Sequence, residues 1–293
     1  SEENVWATVR LRWEGLKMLS QRLGEKNLKL RWRGGVELFD DVEQYDVCRE
    51  KITYLNKMAK KHLGITKNYC DSPSDKNKFK NIVGAIKNRG EGEIDTASMM
   101  HTLLLMARKM DIQILNGIHV EQLHDNGNKV EIETNAGTFK SSKLIVAVNG
   151  FASELLNIKD VLPARAQVLI TKKIPSLSIK GCYHLDRGFY YFRELDGRIL
   201  LGGGRNLDMQ TETTTSFDLN KKIHRKLDEM LKTMILPGKK FEVEHRWAGI
   251  MGVGSEKKPI VRHHSKNIVA AVRMGGMGIA IGALVGHEAS LLC

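Results

Sequence analysis

The sequence predicts a mixed α/β fold in which one part is α/β and another is a mainly antiparallel sheet, and three observations carry that reading. An apolar run without alternation, Leu144-Ile145-Val146-Ala147-Val148, has the pattern of a strand buried on both faces, and it ends at Asn149-Gly150 before a helix. From Ala164 onward strand patterns follow one another: Gln167 to Lys172, Gly188 to Glu194, Arg198 to Gly202 and Phe241 to Ala248, with Asp196-Gly197 as a hairpin signal. One helix, Leu219 to Met234, interrupts them and ends at Pro237-Gly238. The chain then closes on a buried strand, Asn267 to Val272, a glycine cluster at Gly275-Gly276-Met277-Gly278, and a final helix.

The remaining elements follow from periodicity. Trp6, Val9, Trp13, Leu16, Leu19 and Leu23 recur at helical spacing, so residues 3 to 24 read as an amphipathic helix stopped by Gly24. Its two tryptophans call for something to pack against, and the chain is expected to open in mid-fold. Arg31 to Phe39 reads as a strand, and residues 44 to 63 and 75 to 88 as helices around the turn at Asp71-Ser72-Pro73-Ser74. Asp95 caps a helix with an apolar face of Ala97, Met100, Leu104 and Ala107, followed by a short strand at Ile112 to Leu115. Val130 and Ile132 alternate with polar residues between two turn signals, which is the pattern of a β-meander.

Composition narrows the function. With 293 residues, one large or two connected domains are expected, and 42% hydrophobic and 27% charged residues with 5 Pro describe a globular chain. No stretch reaches the ~20 apolar residues of a membrane helix, and no basic leader precedes an apolar core at the start. Four scattered cysteines without C-x-x-C fit a reducing cytoplasm, and the ten histidines show no metal-ligand spacing. The net charge of +12 favours anionic partners, nucleic acid among them, but the basic residues are dispersed, as on an ordinary solvated surface.

The glycine cluster is the sharpest chemical feature. Glycines at 275, 276 and 278 let backbone approach a ligand closely, and the following helix start offers free N–H donors and a positive dipole end. Gly276-x-Gly278-x-x-x-Gly282 approaches a nucleotide-binding fingerprint, but its third glycine is one residue late, and close helix–strand packing explains the glycines equally. Gly150 after the Leu144 to Val148 strand repeats the arrangement with the same two readings.

Taken together these segments carry a resemblance. Gly92-Glu-Ile-Asp-Thr96, Gly117-Ile-His-Val120, Leu144 to Leu156, Trp247-Ala-Gly-Ile-Met251, Pro259-Ile260 and Asn267 to Ala280 are similar to the D-amino-acid oxidase superfamily, in register with its glycine- and sarcosine-oxidase-like members. The resemblance implies a FAD-binding Rossmann-like domain at 1–30, 89–160 and 264–293, with an interleaved, mainly antiparallel substrate domain at 31–88 and 161–263. It implies an N-terminal strand–GxGxxG–helix that this sequence lacks. By the same resemblance Val120, Ala147, Asn149 and Gly150 line the nucleotide, and Gly276, Met277, Gly278 and Ile279 approach the ribityl chain and the flavin ring. FAD is expected to be non-covalent, because no cysteine lies near Ile250 or Met251.

The implied activity is oxidation of a C–N bond in a small amine or amino-acid-like substrate by hydride transfer to flavin. Glycine-oxidase-like members place an arginine where Met251 stands, which disfavours a simple amino acid as substrate unless another cation such as Arg205 or Arg273 substitutes; a surface or backbone-capping role is the alternative for both. Tyr190 and Tyr191 lie on a strand that faces the flavin in the family. Alternation sends Tyr190 with Phe192 one way and Tyr191 with Arg193 the other, and leaves open which pair faces the site. The resemblance names no catalytic acid or base. Two alternatives stand beside it: a tRNA-modifying flavoprotein of the same fold, and a truncated, non-catalytic remnant.

Overall fold

A computed structural model describes residues 1–293. The larger of three sheets runs in the order β12 (Val243–Val253), β8 (Leu162–Thr171), β11 (Arg198–Gly203), β10 (Tyr190–Leu195), β9 (Cys182–Leu185), β1 (Gly35–Phe39), β3 (Gly84–Asn88) and β2 (Tyr69–Asp71). Every neighbouring pair is antiparallel except β1 with β9. Burial alternates along β10, as a sheet with one face on a core requires. That core contains Leu38, Leu169, Tyr183, Phe192 and Leu201, closed by Leu227 of helix α8 (Lys221–Met230). Asn220 caps α8, its Oδ1 accepting from the N–H of Lys222 at 3.0 Å and of Ile223 at 3.3 Å. A π turn, Leu231–Ile235, extends the helix and keeps Met234 and Ile235 in the same core.

The second sheet has the order β13 (Ile260–His263), β14 (Ile268–Val272) and β7 (Leu144–Val146), with β14 and β7 parallel. The third is the expected meander, β4 (Val120–Asp125), β5 (Val130–Thr134) and β6 (Gly137–Ser141). Val130 is buried against Val146 and Ile268, joining the meander to the second sheet. Asp125 ties them from the edge: its carboxylate accepts from Ser265 Oγ, from the Asn267 N–H at 2.8 Å and from Asn267 Nδ2 at 2.9 Å. These bonds, with one from the Gly127 N–H, hold its pKa far below the usual carboxylate range.

Helix α1 (Glu2–Leu23) packs on α9 (Gly278–Leu291), and the two approach most closely at Gly15, where a Cβ would strike the Ala280 carbonyl. Short helix α2 (Glu25–Leu28) leads to β1. Helices α3 (Val42–Glu50) and α4 (Ile52–Leu63) follow β1, and α5 (Pro73–Lys76) lies between β2 and β3. Asp95 caps α6 (Thr96–Lys109), its Oδ1 accepting from the Ser98 N–H at 3.0 Å. Helix α7 (Ala152–Leu155) precedes β8. No helix is long and apolar enough to cross a membrane.

Five expectations are corrected. Residues 75 to 88 are not one helix: α5 ends at Lys76, and Gly84 to Asn88 form β3 because β1 and β2 supply partners on both its edges. Arg31 to Phe39 is a strand only from Gly35, Arg31 making an isolated bridge to Glu93. Ile112 to Leu115 form no strand, since no neighbouring backbone pairs with them. The run from Leu144 is a strand only to Val146 and is not buried on both faces; Ile145 and Val148 are exposed, and the edge of β7 away from β14 has no strand beside it. In α6 it is Met99 that is buried, on the cluster with Leu19 and Leu28, whereas Met100 and Leu104 face solvent.

Two outcomes test this packing. Gly15→Val is expected to lower stability by about 1–3 kcal/mol through overpacking, read as a lower urea midpoint, while Gly282→Ala, whose Cβ meets nothing within 4 Å, is expected to leave it unchanged or raise it. Asp125 is depressed in the folded state, so its contribution is present above the unfolded carboxylate pKa and lost as pH falls through the folded one. Thermal melts of Asp125→Ala should therefore lie below wild type at neutral pH and converge with it in acid.

Candidate active site

Three segments meet where the large sheet joins the β13-β14-β7 sheet. Asn149 adopts φ 48°, and its Oδ1 accepts from the Met274 N–H at 3.0 Å. The Gly275 N–H donates to the Gly252 carbonyl at 2.9 Å. A Cβ on Gly150 would lie 2.6 Å from the Met251 carbonyl, and one on Gly252 would lie 2.6 Å from Asn149 Oδ1. Close backbone approach thus requires glycine at both positions.

This junction presents the turn Gly275 to Gly278. The N–H groups of Gly276, Gly278 and Ile279 have no acceptor within the chain, as expected of a helix start. Space in front of the turn is open: a Cβ on Gly276 would meet only Met251 Sδ, at 3.6 Å, and one on Gly278 only Met274, at 4.0 Å. Free donors behind a glycine surface at the positive end of α9 suit a carbonyl-rich or anionic ligand.

Strand alternation sets which side chains share the face of the large sheet that carries Met251 to this turn. Met251 lies opposite Ala164, Trp247 opposite Val168, and Val168 opposite Gly202, which faces Tyr191. Tyr191 lies opposite His184, and His184 opposite Glu37. The Tyr191 ring lies over Gly202, where a Cβ would fall 2.6 Å from its Cζ, and burial raises its phenol pKa. Arg12 of α1 reaches in from the side and meets Met277 Sδ.

The sequence-derived residues divide accordingly. Gly276, Met277, Gly278 and Ile279 form the turn, with Met251 and Tyr191 on the cleft face. Asn149 and Gly150 form the junction behind it. Val120 begins β4 and Ala147 is exposed just after β7, both on the side of the second sheet. Tyr190 is corrected: it points to the opposite face of its strand, buried in the α8 core beside Gly204 and Ile223. Arg273 is also corrected. It is buried and committed to structure, donating from Nε to the Lys258 carbonyl at 2.8 Å and pairing with Asp160. Arg205 bonds Thr213 at 3.2 Å in the loop that leads to α8, and burial lowers its pKa.

Sequence reasoning missed Arg12, Glu37, Glu91 and His184. The signal was present for Glu37, a charged residue between Val36 and Leu38 in a strand whose neighbours are buried. Burial, with Glu91 and Asp186 nearby, pushes the Glu37 carboxyl up to about 7. Cys182, two residues from His184 on the same face, is a thiol raised by burial to about 11. It stays protonated at neutral pH and is a poor nucleophile.

Residues 2–292 match the family model described as FAD dependent oxidoreductase. The chain belongs to that family. Among curated proteins, the chain is similar to the probable oxidoreductase OrdL of Rhizobium meliloti (strain 1021), 22% identical over 204 residues that cover 67% of this chain and 46% of OrdL. The chain therefore spans less than half of that relative. Two solved structures share its fold. L-proline dehydrogenase from P. horikoshii superposes with a TM-score of 0.78 at 18% identity, covering 99% of this chain and 79% of that one. Glycine oxidase from Bacillus cereus ATCC 14579 gives 0.78 at 15%, covering 96% and 80%. FAD is the cofactor of this family of oxidoreductases.

The glycine at the open turn gives a direct test. Gly276→Leu fills the space in front of the free N–H groups and is expected to lower FAD affinity at least tenfold with an unchanged far-ultraviolet circular dichroism spectrum, measured by flavin fluorescence titration.

Proposed function

We propose that the protein oxidises a C–N bond of a small amine or amino-acid-like substrate, with non-covalent FAD as the electron acceptor. The observation that carries this reading is the turn at Gly276 to Ile279, with free N–H donors and an open glycine surface, facing a floor that includes Tyr191 and Met251. Gly276, Met277, Gly278 and Ile279 are assigned to the ribityl and ring end of FAD, and Val120, Ala147, Asn149 and Gly150 to its nucleotide end. Bound FAD supplies a two-electron acceptor for a substrate hydride. The chain's own residues orient the substrate and exclude water from it. Tyr191, fixed over Gly202, forms one wall, and Met251 fills the place of the family's carboxylate-binding arginine.

Residues 31–88 and 161–263 are assigned to the substrate-facing unit, and 1–30, 89–160 and 264–293 to the FAD-binding unit. The free edge of β7 and the exposed apolar residues Met100, Leu104, Ile145 and Val148 support coverage of that unit by further polypeptide, the strand–GxGxxG–helix of the family. Four free thiols suit a cytoplasmic setting. Relatives named for L-proline and glycine favour a small molecule over tRNA as the substrate.

Protein carrying the family's N-terminal segment is expected to purify yellow, and its flavin absorbance to bleach anaerobically on addition of a secondary or primary amine. A protein that takes up no FAD would sink the reading. One that binds FAD but is bleached only by alcohols would replace the donor class.

A further inference from the structure

The Tyr191 face of the large sheet contains a carboxyl group that receives no hydrogen bond from the chain. Glu37 extends from β1 between two core residues, and its side chain is about one-third exposed. No hydrogen bond reaches it from the chain. The polar side chain facing it is His184 on β9, with Nδ1 4.0 Å from Oε2. Glu91, held by Asn88 Nδ2 at 2.7 Å, lies over Gly35 on the same strand, and Asp186 lies beyond β9. Both disfavour ionisation of Glu37, and burial disfavours it more. Arg12 is within electrostatic reach of Glu91 without forming an ion pair with it, and Tyr69 borders the same space. Tyr191 stands across His184.

The anionic end of an amino acid meets the opposite situation near the flavin-side turn. Met251 and Gly276 face each other there, and neither carries charge or a side-chain donor. The cleft therefore offers no cation at the glycine turn other than Arg12, and along the same sheet face a carboxyl group without a hydrogen bond.

Resting on the cleft being the substrate site, we propose that Glu37, supported by His184, binds a cationic nitrogen of the substrate and sets the specificity of this enzyme toward cationic amines that lack a carboxylate beside the reacting carbon. An ammonium or guanidinium group at Glu37 supplies the counter-charge that the fold withholds. A carboxyl group that titrates near neutrality makes this recognition pH-dependent. Ionised Glu37 binds the cation and protonated Glu37 does not, so affinity rises with pH and binding releases a proton at or below neutrality.

The test needs no turnover. Binding of n-butylammonium, n-butanol and butyrate to the holoprotein is measured by isothermal titration calorimetry at pH 6 and pH 8, in two buffers of different ionisation enthalpy. The expected result is that n-butylammonium binds most tightly, about tenfold more tightly at pH 8 than at pH 6 for a group titrating near 7, and with proton release at pH 6. Glu37→Gln is expected to lose at least tenfold in ammonium affinity at pH 8 together with the pH dependence, while Glu37→Asp keeps the pH dependence. Because ionised Glu37 is disfavoured in the fold, Glu37→Gln should melt no lower than wild type at pH 8, which separates lost binding from lost structure. Tighter binding of butyrate than of n-butylammonium, or a pH dependence that persists in Glu37→Gln, overturns the proposal. FAD retention by wild type and variant is read from the flavin absorbance of the same samples, so failure of the flavoenzyme reading is distinguishable from failure of cation recognition.

Discussion

The arrangement depends on a close approach of three backbone segments, 149–150, 251–252 and 274–275. Asn149 accepts the Met274 N–H, Gly275 donates to Gly252, and Gly150 lies against the Met251 carbonyl. Each contact needs either a glycine or a residue that tolerates positive φ, and asparagine is the usual non-glycine choice. Joined in this way, the end of β12 and the start of α9 belong to one rigid junction. The large sheet then carries its cleft face up to the glycine turn, and the free N–H groups of the helix start open onto that face.

The two faces of the large sheet treat polar groups differently. On the α8 face Arg165 forms a bidentate pair with Glu212, at 2.8 and 3.1 Å, and Glu212 also accepts from Gln167 and Asn220. Gln167 continues to His224, whose other nitrogen lies 3.0 Å from Arg246, itself paired with Asp228. Since Arg246 can only donate, His224 is neutral with its proton on Nε2, and burial lowers its pKa in agreement. That network is satisfied from end to end, which is the condition under which buried polar groups are tolerated. On the cleft face Glu37 receives no hydrogen bond, with His184 Nδ1 4.0 Å away, and Arg12 meets only the sulfur of Met277. The contrast separates groups that hold the fold from groups the fold leaves for a ligand.

Much of this was legible in the sequence where local pattern and tertiary environment agree. The alternation in Tyr190 to Leu195, the Asp196-Gly197 hairpin and the Asp95 cap all became the elements they suggest. The glycine cluster is a turn before a helix, as its composition implies. Failures occurred where partners distant in sequence decide the outcome. Gly84 to Asn88 are drawn into a strand by β1 and β2, whereas Ile112 to Leu115, with strand-like residues, find no partner and remain irregular. Period two placed Tyr190 and Tyr191 on opposite faces but could not say which face was the cleft. The position of α8 over Tyr190 answers that, and it depends on contacts between residues more than thirty positions apart. Glu37 went unread for a similar reason. Its neighbours β9 and β3 lie far along the chain, and they alone make its environment unusual.

Charge at the cleft follows from where each side chain is anchored. Arg273 sits two residues before the glycine cluster and has the chemistry to bind a carboxylate, but its backbone is left-handed, φ 62°, and its side chain is held by Asp160 and the Lys258 carbonyl. Its charge is consumed in closing the loop between β12 and β13. Arg205 is turned toward the loop that holds Glu212. With these two cations used elsewhere, and Met251 and Gly276 uncharged, the positive charge near the turn comes from Arg12 and the helix dipole alone. Glu37 and Glu91 lie on the same face and counter both. A ligand that brings a carboxylate to the turn would meet Arg12 as its side-chain donor, with Met251 itself offering none, whereas one that brings a cation to Glu37 relieves an existing electrostatic cost. On the proposed reading, substrate choice is governed by the Glu37 carboxyl group of β1 more than by an arginine at the Met251 position.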